Sequence, residues 1–163
     1  MAMDAGQLQR EFAETLGNLY AGYGWKRLDG LIIGLLLAKS TQLSLDDISR
    51  ELNRSKGPIS ESVRQLTAKR LLRKAAGPEN RRDYYVIDPE IFHHNHLLNM
   101  QVVHRNRMVA EDFLSRDTGE AMPDGMRGNL RTMHAFYTLM ERFYSDFSVR
   151  WKQEQRKLEE YGY

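Results

Sequence analysis

Residues 44–87 read SLDDISRELNRSKGPISESVRQLTAKRLLRKAAGPENRRDYYVI, and the order of signals within them decides the fold. Ser44, followed three residues later by Asp47, has the spacing of a capping box, and an acid there also suits the positive end of a helix. Leu45, Ile48 and Leu52 then recur at helical spacing, which predicts a helix over 45–52. Asn53-Arg54 breaks that pattern. Ser55 is placed to cap a second helix whose first turn holds Pro58, where a missing N–H costs little. Ile59, Val63 and Leu66 form the stripe that this helix must bury. Leu71–Ala76 and Arg82–Ile87 read as strands, joined by the strong turn signal Gly77-Pro78-Glu79-Asn80. Tyr84-Tyr85-Val86-Ile87 has the aromatic and β-branched bias of a paired strand.

Two short helices followed at once by a basic hairpin make the pattern of a winged helix-turn-helix. The charge agrees. Between Arg50 and Arg82 stand ten Lys/Arg and three acids, a net of +7, whereas the rest of the chain holds 14 basic and 19 acidic groups, a net of −5. Such a patch on a chain of formal net charge +2 is the footprint expected of a face for double-stranded DNA. The second helix would enter the major groove, which admits one helix with its N-terminal side chains at base edges. Opposite its buried stripe lie Gly57, Glu61, Arg64, Gln65 and Ala68, with Ser55, Lys56 and Ser60 near the N-terminus. Arg64 and Gln65 have the donors for bidentate base contacts, and Lys56 and Ser60 suit phosphates. Glu61 would either accept from a cytosine amino group or repel wrong approaches. Arg81 and Arg82, at the hairpin tip, would reach phosphate or a minor groove.

Upstream, residues 7–20 predict an amphipathic helix with Leu8, Phe12, Leu16, Leu19 and Tyr20 on its apolar side. A corner at Tyr23-Gly24 leads to a nearly all-buried helix from about Trp25 to Lys39. Downstream, Asp88-Pro89-Glu90 reads as a helix start, with Asp88 as N-cap and Pro89 at the first helical position. That helix should run to about Arg116 and stop at Asp117-Thr118-Gly119. In the last helix, Asp124 to Glu160, an apolar seam of Met126, Leu130, Met133, Tyr137, Met140, Tyr144, Phe147 and Trp151 repeats as a heptad. A second stripe, Phe136, Leu139 and Phe143, widens the apolar face. A helix of ~37 residues is ~55 Å long, more than a compact body of this mass covers, so a second copy of the chain is the expected partner. Leu8, Phe12, Tyr137, Met140, Tyr144, Phe147 and Trp151 are its expected interface, and a two-fold operator suits a homodimer. The expected architecture is mainly α with a small β-hairpin wing. It is a single domain, 1–163, in which a winged helix-turn-helix core, 24–87, is flanked by long dimerisation helices in 1–23 and 88–163.

Composition narrows the function classes. The chain has no cysteine, which excludes disulfides, thiol nucleophiles and zinc–thiolate sites and fits a reducing cytoplasm. Its longest apolar run, Leu31–Ala38, falls far short of the roughly 20 residues of a membrane span, and no leader pattern opens the chain. A cytoplasmic protein with no membrane partner is expected. No phosphate loop, dinucleotide fingerprint, nucleophile elbow or carboxylate pair appears in a fitting context, so the chain reads as a non-enzyme without a cofactor. His93, His94 and His96 cluster, and His93 and His96 at i, i+3 could share a metal. No E-x-x-H or H-E-x-x-H accompanies them, so a structural role is expected and no metal. The aromatic residues of the last helix, with Tyr20, Tyr23 and Trp25, read as core and interface, and could also cage a quaternary ammonium.

Three stretches resemble the MarR-type winged-helix regulators, and within them the GbsR-like branch. Gly24-Trp25-Lys26-Arg27-Leu28-Asp29-Gly30-Leu31-Ile32-Ile33-Gly34-Leu35-Leu36-Leu37 is similar to that branch's G-x-P-R-x-x-G-R-I-x-G-x-L-L segment. Ser55-Lys56-Gly57-Pro58-Ile59-Ser60, with Arg64 and Leu66, is similar to its recognition helix, and Arg81-Arg82-Asp83-Tyr84-Tyr85 to its wing. Two positions depart from the pattern: Lys26 stands in place of proline and Leu31 in place of arginine. The resemblance implies a dimeric, ligand-responsive transcriptional regulator, a repressor, with a choline- or betaine-like effector. Tyr23, Trp25, Arg27 and Tyr137 are the residues expected nearest that effector. The rival reading is a dimeric winged-helix protein-interaction module that does not bind DNA, for which Glu61 on the groove-facing side argues.

Overall fold

The computed structural model describes residues 4–119 and 122–161. The chain divides into two compact units, Met1–His94 and Asn95–Tyr163. In the first, the order is α1 (Ala5–Gly22), α2 (Arg27–Lys39), β1 (Leu43–Ser44), α3 (Leu45–Leu52), α4 (Lys56–Ala68), β2 (Leu72–Ala75) and β3 (Tyr84–Ile87). Helix α5 (Ile91–Ser115) runs from the first unit into the second, and α6 (Asp124–Glu160) completes the chain. No described helix is long and apolar enough to cross a membrane.

Helix α2 is the axis of the first unit. Leu31 to Leu36 are all buried, and around them pack Ile48 of α3, Ile59, Val63 and Leu66 of α4, Leu71, Leu72, Tyr85 and Ile91. Helix α1 meets α2 through small residues. Its buried positions are Ala13 and Gly17, whereas Leu8, Phe12 and Leu19 stay exposed and Leu16 and Tyr20 are half-buried. The reason is backbone proximity. A Cβ on Gly30 would lie 2.5 Å from the Leu16 carbonyl oxygen, and one on Gly34 would lie 2.7 Å from Ala13 Cα. Small residues let the two helices approach so closely that the larger apolar side chains of α1 are left outside the contact.

The capping box of α3 forms as expected: Ser44 Oγ accepts from the Asp47 amide (3.2 Å) and Asp47 Oδ2 accepts from the Ser44 amide (3.0 Å). Helix α4 begins after Ser55 as expected, but the Ser55 side chain makes no capping hydrogen bond. The hairpin is shorter than expected at its loop end, because the loop extends through residues 76–83 before the ladder begins at Tyr84. The ladder also gains a strand that the sequence did not suggest. Leu43 and Ser44 pair with Tyr85 and Tyr84, giving an antiparallel sheet of order β1-β3-β2. Leu72 to Ala75 pair with Ile87 to Tyr84 on the other side of β3. Asp88-Pro89-Glu90 forms a turn before α5 rather than its first residues. Asp88 Oδ1 accepts from the Glu90 amide (2.8 Å), and the helix starts at Ile91.

In the second unit, Val103 and Ala110 of α5 are buried, while no residue of α6 is. The seam of α6 is half-buried at Leu130, Met133, Tyr137, Met140, Tyr144 and Trp151. His96 links the helices: its Nε2 bonds the Tyr144 carbonyl at 3.0 Å, and its ring lies 4.8 Å from that of Tyr144 and 4.7 Å from that of Phe147. Glu141 accepts from Arg107 Nε (2.8 Å) and pairs with His104 Nδ1 (2.7 Å). The second stripe is the most open: Phe136, Leu139 and Phe143 are 57%, 67% and 64% exposed.

Candidate nucleic-acid interface

Helix α4 buries Ile59, Ser62, Val63 and Leu66, so at 100° per residue the centre of its outer face falls near Gly57, Glu61, Arg64 and Ala68. All four are exposed, with Ser55, Lys56 and Ser60 beside them, and Gln65 is half-buried at the edge. A Cβ on Gly57 would meet nothing within 4 Å. The fold therefore does not require glycine there, whereas close approach of a ligand backbone would. The expected groove-facing residues thus share one open face.

The cations around that face are not equally available. Asp46, in the first turn of α3, forms ion pairs with both Lys56 at the start of α4 and Arg82 of the wing, the latter at 3.7 Å. Arg82 also reaches Glu79 at 3.3 Å, Lys74 pairs with Asp83 at 2.8 Å, and Arg50 pairs with Asp47 at 3.1 Å. Hydrogen bonding from Lys56 holds the Asp46 carboxyl below the usual carboxylate range. Lys69 places its Nζ 4.0 Å above the Trp25 ring. Arg54, Arg64, Arg70, Arg73 and Arg81 remain: among the described residues, their side chains are exposed and make no hydrogen bond or ion pair.

Glu61 is held from two sides. Its Oε1 accepts from Lys26 Nζ at 2.7 Å and from Gln65 Nε2 at 3.0 Å. The Lys26 bond depresses the Glu61 pKa, and the same bond raises that of Lys26. Lys26 is the N-cap of α2 and occupies the position where the resembling pattern has proline. Neither Lys26 nor Asp46 stands out in the sequence as part of this face. Both act across turns of chain that only folding brings together, and Asp46 is masked locally by its neighbour, the capping residue Asp47.

Of the residues expected near an effector, Tyr23, Trp25 and Arg27 lie in the first unit. Trp25 is half-buried with the Tyr20 ring edge-on at 5.6 Å, and Tyr23 is 69% exposed. Arg27 bonds Asn18 (2.9 Å) and pairs with Glu14. A cavity of about 270 Å³ is lined by Arg27, Leu28, Leu31, Arg54, Ser55 and Pro58. Tyr137 belongs to the other unit. The His93 and His94 rings are stacked with centroids 6.5 Å apart; His94 Nδ1 lies 2.8 Å from the Arg70 carbonyl oxygen, His93 lies 3.4 Å from Glu90, and His96 bonds Tyr144. Among the described residues no three His, Cys, Asp or Glu are gathered to hold a metal.

Comparison with known proteins bears on the same segment. Residues 26–87 match the family described as the winged helix DNA-binding domain. The chain is 28% identical over 144 residues to the HTH-type transcriptional regulator MmpR5 of Mycobacterium tuberculosis, covering 88% of this chain and 86% of that protein. A crystal structure of a transcriptional regulator superposes with a TM-score of 0.73 at 27% identity, covering 89% of this chain and 98% of the other. A DNA-bound mutant of S. aureus MepR reaches a TM-score of only 0.41 at 18% identity, with 78% and 91% covered, which is too slight a likeness to argue from. The helix pair, the exposed α4 face and the three-stranded wing fall within the matched segment, and their fold is a winged helix-turn-helix.

Proposed function

We propose that the protein is a MarR-type, sequence-specific double-stranded DNA-binding transcriptional regulator that acts in the cytoplasm as a homodimer and represses by occupying its operator. The observation that carries this reading is the open α4 face, on which Arg64 makes no hydrogen bond or ion pair and Gly57, two turns before it, leaves room for DNA, with Arg81 at the wing. Arg64 has the donors to bridge guanine O6 and N7, and Arg81 is free to take a phosphate. The similarity to transcriptional regulators over nearly the whole chain supports the same conclusion. The exposed stripe Phe136, Leu139 and Phe143 of α6 and, separately, the exposed Leu8 and Phe12 of α1 support pairing of two copies, since isolated chains rarely leave large apolar stripes wet.

The internal ion pairs of Asp46, Glu61 and Asp83 favour one other reading, a winged-helix interaction module that no longer binds DNA. Fluorescence anisotropy against random duplex over a salt series, followed by selection from genomic fragments, separates the two. A regulator retains random duplex at low salt, loses it steeply as salt rises, and enriches a symmetric site. An interaction module does neither.

Ligand control of the kind found in the GbsR-like branch belongs to the same proposal. The Trp25 face accommodates a cation, its own Lys69, so a choline- or betaine-like ammonium would compete with that side chain. Titration of choline and betaine into the protein–operator complex should then release DNA and change tryptophan fluorescence. No change in either at millimolar ligand would remove these effectors.

A further inference from the structure

We propose that Glu61 is a sequence-reading residue: its Oε2 accepts a hydrogen bond from the N4 amino group of a cytosine in the operator's major groove. This inference rests on the DNA-binding reading above and adds the base that is read.

A carboxylate at the centre of a groove-facing helix is at first sight a poor choice, because DNA presents a dense array of negative phosphates. The structure answers that objection in two ways. Lys26 bonds Glu61 Oε1 at 2.7 Å, so carboxylate and ammonium approach the groove together as a neutral pair. Gln65 Nε2 bonds the same oxygen at 3.0 Å. Both donors therefore converge on Oε1. Among the described residues Oε2 accepts no hydrogen bond, and the side chain is 50% exposed. The carboxylate is held in one orientation by two donors while its other oxygen remains available to an external one.

The external donor is identified by groove chemistry. Of the four bases, cytosine offers an amino group without an acceptor of its own on the major-groove edge, and carboxylates are the side chains suited to it. Adenine's N6 amino group stands beside the acceptor N7, which would face a second lone pair. Guanine and thymine present acceptors and would repel Oε2. Arg64, three residues on along the same face and about 4.5 Å further along the axis, supplies the donors guanine needs. Glu61 and Arg64 thus form an acceptor–donor pair fitted to C and G within neighbouring steps of the duplex.

The test is a randomised duplex library bound in parallel by the wild-type protein, Glu61→Ala and Glu61→Gln. The wild type should enrich a site with one position fixed as cytosine, by about 5- to 150-fold over other bases. Glu61→Ala should lose the preference at that position and keep the rest of the site. Glu61→Gln, which presents both a donor and an acceptor, should move it toward adenine. An unchanged base profile in Glu61→Ala would overturn this inference while leaving the regulator reading in place. Absence of any enriched site with the wild type would overturn both.

Discussion

Asp46 sits where two cations of the proposed DNA-binding face meet, which makes Asp46→Asn an informative perturbation. In the free protein the carboxylate pairs with Lys56 at the tip of α4 and with Arg82 of the wing. Neutralising it should release Lys56 to phosphate and loosen Arg82, which keeps its pair with Glu79 and can add a second contact if DNA displaces that acid. Each phosphate neutralised on B-DNA steepens the plot of log affinity against log salt by about 0.9, so two released cations steepen it by up to about 1.8 per protomer. Between about 50 and 200 mM salt, that slope corresponds to roughly a further tenfold loss of affinity. The variant should bind random duplex more tightly than the wild type at low salt and lose that advantage as salt rises, with its discrimination between operator and random duplex reduced. Anisotropy titrations on both duplexes at four salt concentrations measure the slope. Asp46 is partly exposed, and the capping box of α3 is made by Ser44 and Asp47, so the fold should persist, as circular dichroism will show. A slope equal to or shallower than that of the wild type would mean that Asp46 positions these cations for DNA instead of competing for them, and the reasoning would be refuted.

Arg64→Ala should flatten the base profile at one or two positions, whereas Arg81→Ala should weaken all duplexes alike and reduce the salt slope by about 0.9; a library selection and a salt series distinguish them. Gly34→Ala should lower stability despite a helix-propensity gain of up to about 1 kcal/mol, because its Cβ would press on Ala13 Cα at 2.7 Å and overpacking costs about 1–3 kcal/mol; the urea midpoint reports the sign. Leu139→Glu with Phe143→Glu should yield folded monomers by sedimentation, and a wild type already monomeric at micromolar concentration would dispose of the dimer. Ser44's hydrogen bonds depress the pKa of Asp47 below its ordinary 3.8. A carboxyl with a lowered folded pKa stabilises above its unfolded value and loses that stability as pH falls through the folded one. Melting temperature should therefore drop below about pH 4, and the Asp47→Asn variant should show a smaller drop.

How much of this was legible in the sequence depends on the range over which each signal acts. The capping box at Ser44 and Asp47, the buried stripe Ile59-Val63-Leu66 and the limits of α6 are set by neighbours within a turn or two, and the structure places them as the spacing predicts. On α1, periodicity registers the apolar side Leu8, Phe12 and Leu19, whereas the small-residue contact with α2 is decided by glycines on the partner helix and leaves no such mark. Strand β1, two residues long, had no room for a periodic signal and exists only because β3 offers it an edge. The exposed face of α4 is readable as the complement of its buried stripe. The acids that tie down its cations were not, since each pair joins elements that sequence spacing cannot bring together.

Those pairs give the reader a coherent electrostatic logic. A phosphate contact adds affinity for every sequence alike, and base contacts alone discriminate. A patch carrying +7 in the sequence, left entirely open, would hold the protein on random DNA. Asp46, Asp83 and Glu79 engage Lys56, Lys74 and Arg82 at the rim, where contacts would be to phosphate, while Arg64 at the centre of the helix is left free. The acids thus subtract from the sequence-independent part of binding more than from the part that reads bases. Lys26 extends the same logic to the one acid at the centre. It stands where the resembling pattern has proline, and a proline there could not neutralise Glu61. Leu31, where that pattern has arginine, is 3% exposed and packs against α1, as an arginine could not without burying its charge. The two departures from the pattern are therefore consistent with this chain's own helix contacts, and one of them pairs with the acid at the centre of the exposed α4 face.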